Sequence, residues 1–321
     1  MTIKDIAEKA GVSMITVSRV INTPEKVSPK TREKIEKILK ENGYTHNTAA
    51  HNLASNKSGI ICIYASKDLP YLDPFFQQFL VGVGSYLSYA NYSFQIINEV
   101  KPTQFCDGYI LSGFNYSDHI LDDAKKTGKP VAMFSSFRDS EVDSIDTDNK
   151  KSSKKIISYL LSRGHRKIAI VLNRVNGVYV SERFEGYKEA LKENNISFNE
   201  NYVFTVDNSI EGGINASRLF IEQKCDATAV FLITDMLATG FVIGMKSFGH
   251  KVPDDISVVG FDGLGHHLMS SPKITTMAQP VYQIAQELSK CLLDRIKNPN
   301  LKPTYKLVEG LLDEEESTKV I

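Results

Sequence analysis

From Gly59 onward the chain alternates short apolar runs with longer amphipathic stretches, and this alternation restricts the fold more than any other feature. Ile60 to Ala65, Ser93 to Ile97, Gly108 to Leu111, Val131 to Phe134, Lys167 to Leu172, Val203 to Val206, Ala229 to Ile233 and Ser257 to Phe261 read as strands. Between them, Phe76 to Tyr89, Lys154 to Leu161, Arg183 to Glu193, Gly213 to Glu222 and Leu237 to Phe248 carry a helical texture. Strands joined by helical crossovers form parallel sheets covered on both faces, and this number of strands requires two sheets. Open parallel sheets bind ligands beyond the carboxyl ends of their strands. At 321 residues and 42% hydrophobic content the chain can bury such a core and still carry a small extra domain.

That extra domain is legible at the N-terminus. Ile3, Ile6, Ala7 and Ala10 repeat at helical spacing behind Thr2, with Asp5 three residues on, the pattern of a capping box. Gly11 suits a tight turn, and Ser13 is placed to cap a second helix with Val17, Val20 and Ile21 on one face. Ser28 and Pro29 open a third helix that runs through Ile35, Ile38 and Leu39 and stops at Asn42-Gly43. The whole chain is neutral, with 38 basic and 38 acidic residues, yet residues 1 to 58 hold 10 Lys and Arg against 6 Asp and Glu. The basic surplus lies where a phosphate backbone could use it.

The run Thr2 to Ser13, then Thr16 to Asn22, then Val27-Ser28, Thr31-Arg32, Asn42-Gly43-Tyr44, Asn47 and Leu53-Ala54 resembles the LacI/GalR family of repressors without a gap. The resemblance implies an all-α three-helix helix-turn-helix headpiece followed by an α/β periplasmic-binding-protein-like domain of two doubly wound parallel-sheet subdomains. The expected divisions are a headpiece over 1–45, a hinge helix and linker over 46–58, and an effector-binding domain over 59–321. Within the last, the N-subdomain takes about 59–145 and 280–306, and the C-subdomain about 146–279 and 307–321. By the resemblance the second helix lies in the major groove, so Met14, Ile15 and Arg19 face base edges. Arg19 can donate two hydrogen bonds to guanine, whereas Met14 and Ile15 offer apolar contact to thymine methyls. Ser13, Thr16, Ser18, Asn22, Ser28 and Thr31 are expected on phosphates, fixing register without reading sequence.

In the hinge the resemblance assigns Asn47, Leu53 and Ala54 to the minor groove, with Leu53 as the wedge that kinks the operator. The proline and arginine usual in the family are His46 and His51 here, which softens the hinge. Further on, Arg163-Gly164-His165-Arg166-Lys167-Ile168, Arg183-Phe184-Glu185-Gly186-Tyr187 and Val252 to Asp262, followed by Ile274-Thr275-Thr276, match family landmarks. They imply two similar subdomains joined by three crossover strands around a ligand cleft. Arg183, expected at a helix start, matches the position that bridges vicinal sugar hydroxyls, and Asp262 the carboxylate that accepts from them. Phe75 and Phe76 match the aromatic lining; Asp235 and Ser135 complete the expected effector-binding set. Between Ile97 and Asp107 there is room only for a loop where the family usually inserts a helix.

No nucleophile elbow, Walker loop, H-E-x-x-H or dinucleotide fingerprint occurs, so catalysis is not expected. Glu211-Gly212-Gly213 is expected to end a turn, and the acidic run Asp313 to Glu316 to be a solvated terminus. The 4 cysteines show no C-x-x-C pair and no clustered histidines, so no metal and no cofactor are expected, and Cys62 reads as a buried strand residue. No signal peptide and no membrane segment is read, placing the chain in the cytoplasm with the bacterial nucleoid. The expected function is sequence-specific repression of carbohydrate-utilisation genes by a homodimer on a pseudo-palindromic operator, controlled by a small sugar-type effector. The alternatives are a purine-type or carrier-protein-corepressed regulator of the same family, or a sugar-binding protein with no regulatory role.

Overall fold

A computed structural model of the chain describes residues 2–22, 26–42, 57–66, 73–113, 119–175 and 177–321. They divide into two units, Met1–Gly59 and Ile60–Ile321. In the first, α1 (Ile3–Ala10) is closed at its start by the reciprocal pair that the sequence requires. The Asp5 amide donates to Thr2 Oγ1 at 3.3 Å, and the Thr2 amide donates to Asp5 Oδ2 at 2.7 Å. Gly11 ends the helix at φ 63°, a left-handed angle that costs a glycine nothing. In α2 (Met14–Asn22) the Thr16 amide donates to Ser13 Oγ at 3.2 Å, so Ser13 is a working cap. α3 (Pro29–Glu41) differs from expectation: the Ser28 hydroxyl caps no amide and instead shares a hydrogen bond with Thr31 Oγ1 at 2.9 Å. Pro29 makes this tolerable, because it removes one of the amide donors that a cap would have to satisfy. Ile6, Ala7, Ala10, Val17, Val20 and Ile35 form the buried centre of the three helices.

The second unit contains two six-stranded sheets. The first is built from β1 (Ile60–Tyr64), β2 (Ser93–Ile97), β3 (Gly108–Leu111), β4 (Val131–Phe134), β5 (Asp143–Thr147) and β11 (Tyr305–Val308), in the order β11-β5-β4-β3-β1-β2. The second takes β6 (Ile168–Asn173), β7 (Val203–Val206), β8 (Ala229–Leu232), β9 (Ser257–Asp262), β10 (Thr275–Ala278) and β12 (Leu311–Asp313), in the order β12-β10-β9-β8-β6-β7. Every recorded pairing is parallel except that of β10 with β12. The chain changes sheets three times, between β5 and β6, between β10 and β11, and between β11 and β12.

The first sheet is covered by α4 (Pro74–Tyr89), α5 (Ile120–Lys126) and, late in the chain, α11 (Val281–Lys297). α4 and α11 approach closely because Gly82 has no side chain; a Cβ there would lie 2.6 Å from the Tyr282 carbonyl and 2.7 Å from Ala285 Cβ. The second sheet is covered by α6 (Asn149–Ser162), α7 (Val178–Glu193), α8 (Ile210–Glu222) and α9 (Asp235–Ser247), with the short α10 (His266–Met269) beside α9. Between β2 and β3 no helix forms, as the spacing predicts.

Three other expectations are corrected. Arg183 does not open a helix, since α7 starts at Val178 behind an extended Gly177. Glu211-Gly212-Gly213 lies inside the first turn of α8, where Gly213 lets α8 meet α9; an added Cβ would lie 2.3 Å from the Leu237 carbonyl. The tail is not a solvated terminus: Leu311–Asp313 is a strand, Ser317 is buried and donates to the Val258 carbonyl at 2.6 Å, and the Ile321 amide bonds to the Arg163 carbonyl at 3.0 Å. Unfilled backbone donors and acceptors along β9 and β10 give this polar segment partners that its composition does not advertise.

Candidate functional site

On the headpiece, the cores of the three helices take Val17 and Val20 inward, and Met14 at the start of α2, with Ile15 and Arg19 away from that buried face, is left exposed. Met14 and Ile15 are 55% and 65% exposed although both are large and apolar, an arrangement that costs free energy in water unless another surface covers them. Ser13 and Thr16 share a hydroxyl hydrogen bond of 2.9 Å at the N-terminus of α2, beside the amides that a helix start leaves open to an anion. Ser28 and Thr31 repeat the arrangement at the start of α3. Ser18 lies half-buried on α2. The side chain of Asn22, and Asn47, Leu53 and Ala54 entirely, lie outside the described residues.

The second unit has a cavity where the carboxyl ends of its strands meet the start of α4. It encloses about 30 Å³ and is lined by Asp73, Pro74 and Phe75 on one side, and by residues that include Asn208, Thr234, Asp235, Asp262 and His266 on the other. That volume admits water and no more. Asp262 ends β9 with φ 131°, an angle that residues with side chains rarely adopt. Its geometry is enforced by the Gln279 side chain donating to Oδ1 at 2.8 Å and by the Gln279 amide bonding to its carbonyl at 2.9 Å.

Arg183 reaches Asp262 Oδ1 at 3.4 Å, donates from Nε to Asn149 Oδ1 at 2.9 Å and from Nη1 to the Ile233 carbonyl at 2.5 Å. Its guanidinium lies 3.5 Å from the Phe261 ring centre and 4.9 Å from that of Tyr179. Burial disfavours its charge, and Asp262 opposes that effect. Asp262 in turn is raised by burial and lowered by Arg183.

Of the residues singled out by sequence, Phe75, Asp235 and Asp262 line the cavity, and Arg183 binds Asp262. Asp235 is held by the fold: Oδ1 accepts from the Thr276 hydroxyl at 2.6 Å and Oδ2 from the Gly263 amide at 2.8 Å, and burial raises its carboxyl well above the usual range. Phe76 packs half-buried against Phe79, and buried Ser135 accepts from the Phe137 amide at 3.1 Å; neither is among the cavity-lining residues.

Sequence reasoning missed Asp73, Asn208 and His266 on the cavity. Asp73 was visible as a cap, since it precedes Pro74 and accepts from the Phe76 amide at 2.9 Å. It also missed Asp146 and Glu182, which lie near Arg183 on facing elements. Burial pushes Asp146 up to about 7, with the Glu182 charge adding to it, and burial raises Glu182.

Among the described residues no group of three or more His, Cys, Asp or Glu could hold a metal ion, and no helix is long and apolar enough to cross a membrane.

Comparison with known proteins agrees with this anatomy. Residues 2–47 match the bacterial regulatory proteins of the lacI family, and residues 157–318, half of the chain, match the periplasmic binding protein-like domain. The HTH-type transcriptional repressor CytR of Escherichia coli K12 is 28% identical over 335 residues, covering 100% of this chain and 97% of the relative. A solved complex of the transcriptional regulator CelR with cellobiose superposes with a TM-score of 0.76 at 27% identity, covering 99% of each chain. The lac repressor dimer bound to operator and the anti-inducer ONPF superposes at 0.77 with 25% identity, again over 99% of each chain. A capped helix-turn-helix headpiece and a two-sheet domain with its cavity at the strand ends, matched along the whole chain, make this protein a member of the LacI family of DNA-binding transcription regulators.

Proposed function

We propose that this regulator represses carbohydrate-utilisation genes as a homodimer on a pseudo-palindromic operator and is controlled by a small sugar or sugar-derived effector. The observation that carries the effector reading is the Arg183–Asp262 pair beside the Phe75 ring at the cavity. A planar cation and a carboxylate suit vicinal hydroxyls, and an aromatic edge suits the apolar face of a sugar ring. The CelR–cellobiose complex shows that a protein of this architecture takes such a ligand. At about 30 Å³ the cavity excludes any sugar, so effector entry requires the two sheet-centred halves to separate.

On DNA, Met14, Ile15 and Arg19 read bases, while Ser13, Thr16, Ser18, Asn22, Ser28 and Thr31 hold phosphates. Asn47, Leu53 and Ala54 supply the minor-groove contact. Two-fold symmetry follows from the operator type, since a pseudo-palindrome mirrors a dimer. Exposed Val81 on α4 and Phe94 and Ile96 on the neighbouring edge strand β2 offer apolar surface for such pairing.

The test is a thermal-shift screen of mono- and disaccharides with purines as the contrasting class, because a ligand specific for the folded state raises the melting temperature. Positive ligands are then titrated against an operator selected from bound genomic fragments. Coupling of about 1 to 3 kcal/mol is expected, and DNA must change effector affinity by the same factor. Stabilisation by a purine and by no sugar overturns the sugar reading; a phosphorylated carrier protein that alone shifts operator affinity overturns it equally.

A further inference from the structure

The two halves of the large domain meet at the cavity with carboxyl groups on both sides. Asp73, at the start of α4, faces Asp235 and Asp262 of the second sheet's half, and no Lys or Arg is among the residues that line the space. Arg183 touches Asp262 at 3.4 Å, while its Nε is taken by Asn149 at 2.9 Å and its Nη1 also by the Ile233 carbonyl at 2.5 Å. The same Asn149 donates to Glu182 at 3.2 Å and to the Thr147 carbonyl at 3.1 Å, beside Asp146. Among the described residues, five carboxyls thus stand around one guanidinium, and His266 is the one basic residue on the lining itself. The wall behind Phe75 adds a hydroxyl. Ser112 follows β3 on the face of Ile110, level with Phe134, against whose ring Phe75 packs at 4.9 Å. It is 1% exposed, and its Oγ has no hydrogen-bond partner among the described residues, a costly state until a polar group reaches it.

Building on the effector reading above, which it requires, we propose that the effector is an amino sugar whose free ammonium lies between Asp73 and Asp262 and so binds both halves at once. The case is one of charge balance. Hydroxyls of a neutral sugar donate hydrogen bonds but leave carboxylates facing one another in a buried space with no added cation. An ammonium brings three donors together with a compensating charge, and hydrogen bonds between charged partners are about twice as strong as neutral ones.

Without such a ligand the carboxyls limit their repulsion by holding protons. Burial raises Asp73, Asp235 and Asp262, the last to about 6, and the Asp73 charge adds to the rise of Asp262, as two carboxyls facing across a gap require. An entering ammonium favours their ionised forms, so its binding releases protons to the solvent. Because Asp73 and Asp262 belong to opposite halves, the same cation favours the closed arrangement over the open one. The Ser112 hydroxyl, one strand away from the Phe134 and Phe75 rings, offers a further acceptor on the first half.

The experiment titrates the full chain by calorimetry at about pH 6, where an amine keeps its proton, with matched sets of sugars. The sets are glucose with glucosamine, galactose with galactosamine, and cellobiose with the β-linked glucosamine disaccharide, each amine also as its N-acetyl derivative. In at least one set the amine should bind about tenfold or more tightly than both neutral members. Heats measured in buffers of different ionisation enthalpy should show protons released by the amine and none by a neutral sugar. Asp73→Asn, which can still cap α4, should remove most of the amine's advantage. A neutral sugar that binds as tightly as its amine, an amine and its N-acetyl form that bind alike, no binding by any amine, binding without proton release, or an advantage that survives Asp73→Asn overturns the proposal. A neutral sugar that outbinds its amine does so while upholding the sugar reading, whereas binding by purines and by no sugar overturns both. If Asp73→Asn fails to fold, the wild-type sets and the proton count decide alone.

Discussion

Asp146 is the residue whose replacement should report most directly on the electrostatics of the cleft. It lies in β5, buried, with Oδ1 accepting from the Thr147 amide at 2.6 Å, and it faces the Glu182 charge from α7. Burial, with Glu182 adding to it, pushes its carboxyl from 3.8 to about 7. A gap of about three pH units corresponds to on the order of 4 kcal/mol between the folded protein with Asp146 protonated and ionised. A raised carboxyl stabilises the fold while it holds its proton. The contribution is therefore complete below about pH 4 and is lost as pH climbs through about 7. Asp146→Asn removes the titration but keeps one acceptor oxygen, at the cost of about 1 kcal/mol for a second backbone hydrogen bond it can no longer accept. The variant should thus be slightly less stable than wild type at pH 4 and more stable by about 3 kcal/mol at pH 8. Urea unfolding followed by circular dichroism at half-unit pH steps measures both curves. The diagnostic is their difference in slope between pH 4 and 7; parallel curves would refute the linkage argument whatever their offset.

Arg19→Ala should weaken operator binding by about 1 to 3 kcal/mol while leaving binding to random duplex nearly unchanged, read by fluorescence anisotropy at fixed salt. Gly186→Ala should destabilise the large domain by about 1 to 3 kcal/mol, because the new Cβ would lie 2.3 Å from the Lys150 carbonyl and 2.8 Å from Ser153 Cβ where α6 meets α7. A melting temperature equal to wild type would show that these helices can separate freely. Asp262→Asn should lower effector affinity about tenfold or more with operator affinity within about twofold, since a hydrogen bond to a charged group is lost at the cavity alone; equal losses in calorimetry and anisotropy would assign Asp262 to folding.

How much of this was legible depends on whether a residue's role is written in its neighbours along the chain. The caps Thr2 and Ser13 were, because they act on amides three residues away, whereas Ser28, expected to do the same, shares its hydroxyl with Thr31 instead. Apolar strands such as β1, β3 and β8 were, because burial on both faces forces an uninterrupted apolar run. β5 was not. Its sequence Asp-Ser-Ile-Asp-Thr is fully buried, which only distant partners explain: Thr304 and Arg295 on Asp143, and the Ser135 and Phe137 carbonyls on the Ser144 hydroxyl. β12 and the tail fail for the same reason, since what orders them lies some forty residues or more upstream, on Thr275 and Val258. At the cavity, the resemblance pointed to Arg183 and Asp262, whereas Asn208 enters through a loop and His266 at the start of the one-turn α10, both too short to carry a period.

The placement of Arg183 explains how a small ligand could act on the whole domain. One crossing between the sheets runs from β5 to α6, and Arg183 Nε binds Asn149 at its far end. Another runs from β10 to α11, and Gln279 there holds Asp262, the second partner of Arg183. The third, between β11 and β12, carries Glu309, whose carboxylate binds Lys151 and Lys155 on the same α6. One guanidinium therefore connects the cavity to two of the three crossings, and the helix that follows the first of these anchors the third. On the proposed effector reading, a ligand hydroxyl bridging Arg183 and Asp262 would substitute for their 3.4 Å contact and so act on both crossings at once. Coupling between the cavity and the relative position of the two sheets then needs no long chain of side chains, only this shared partner.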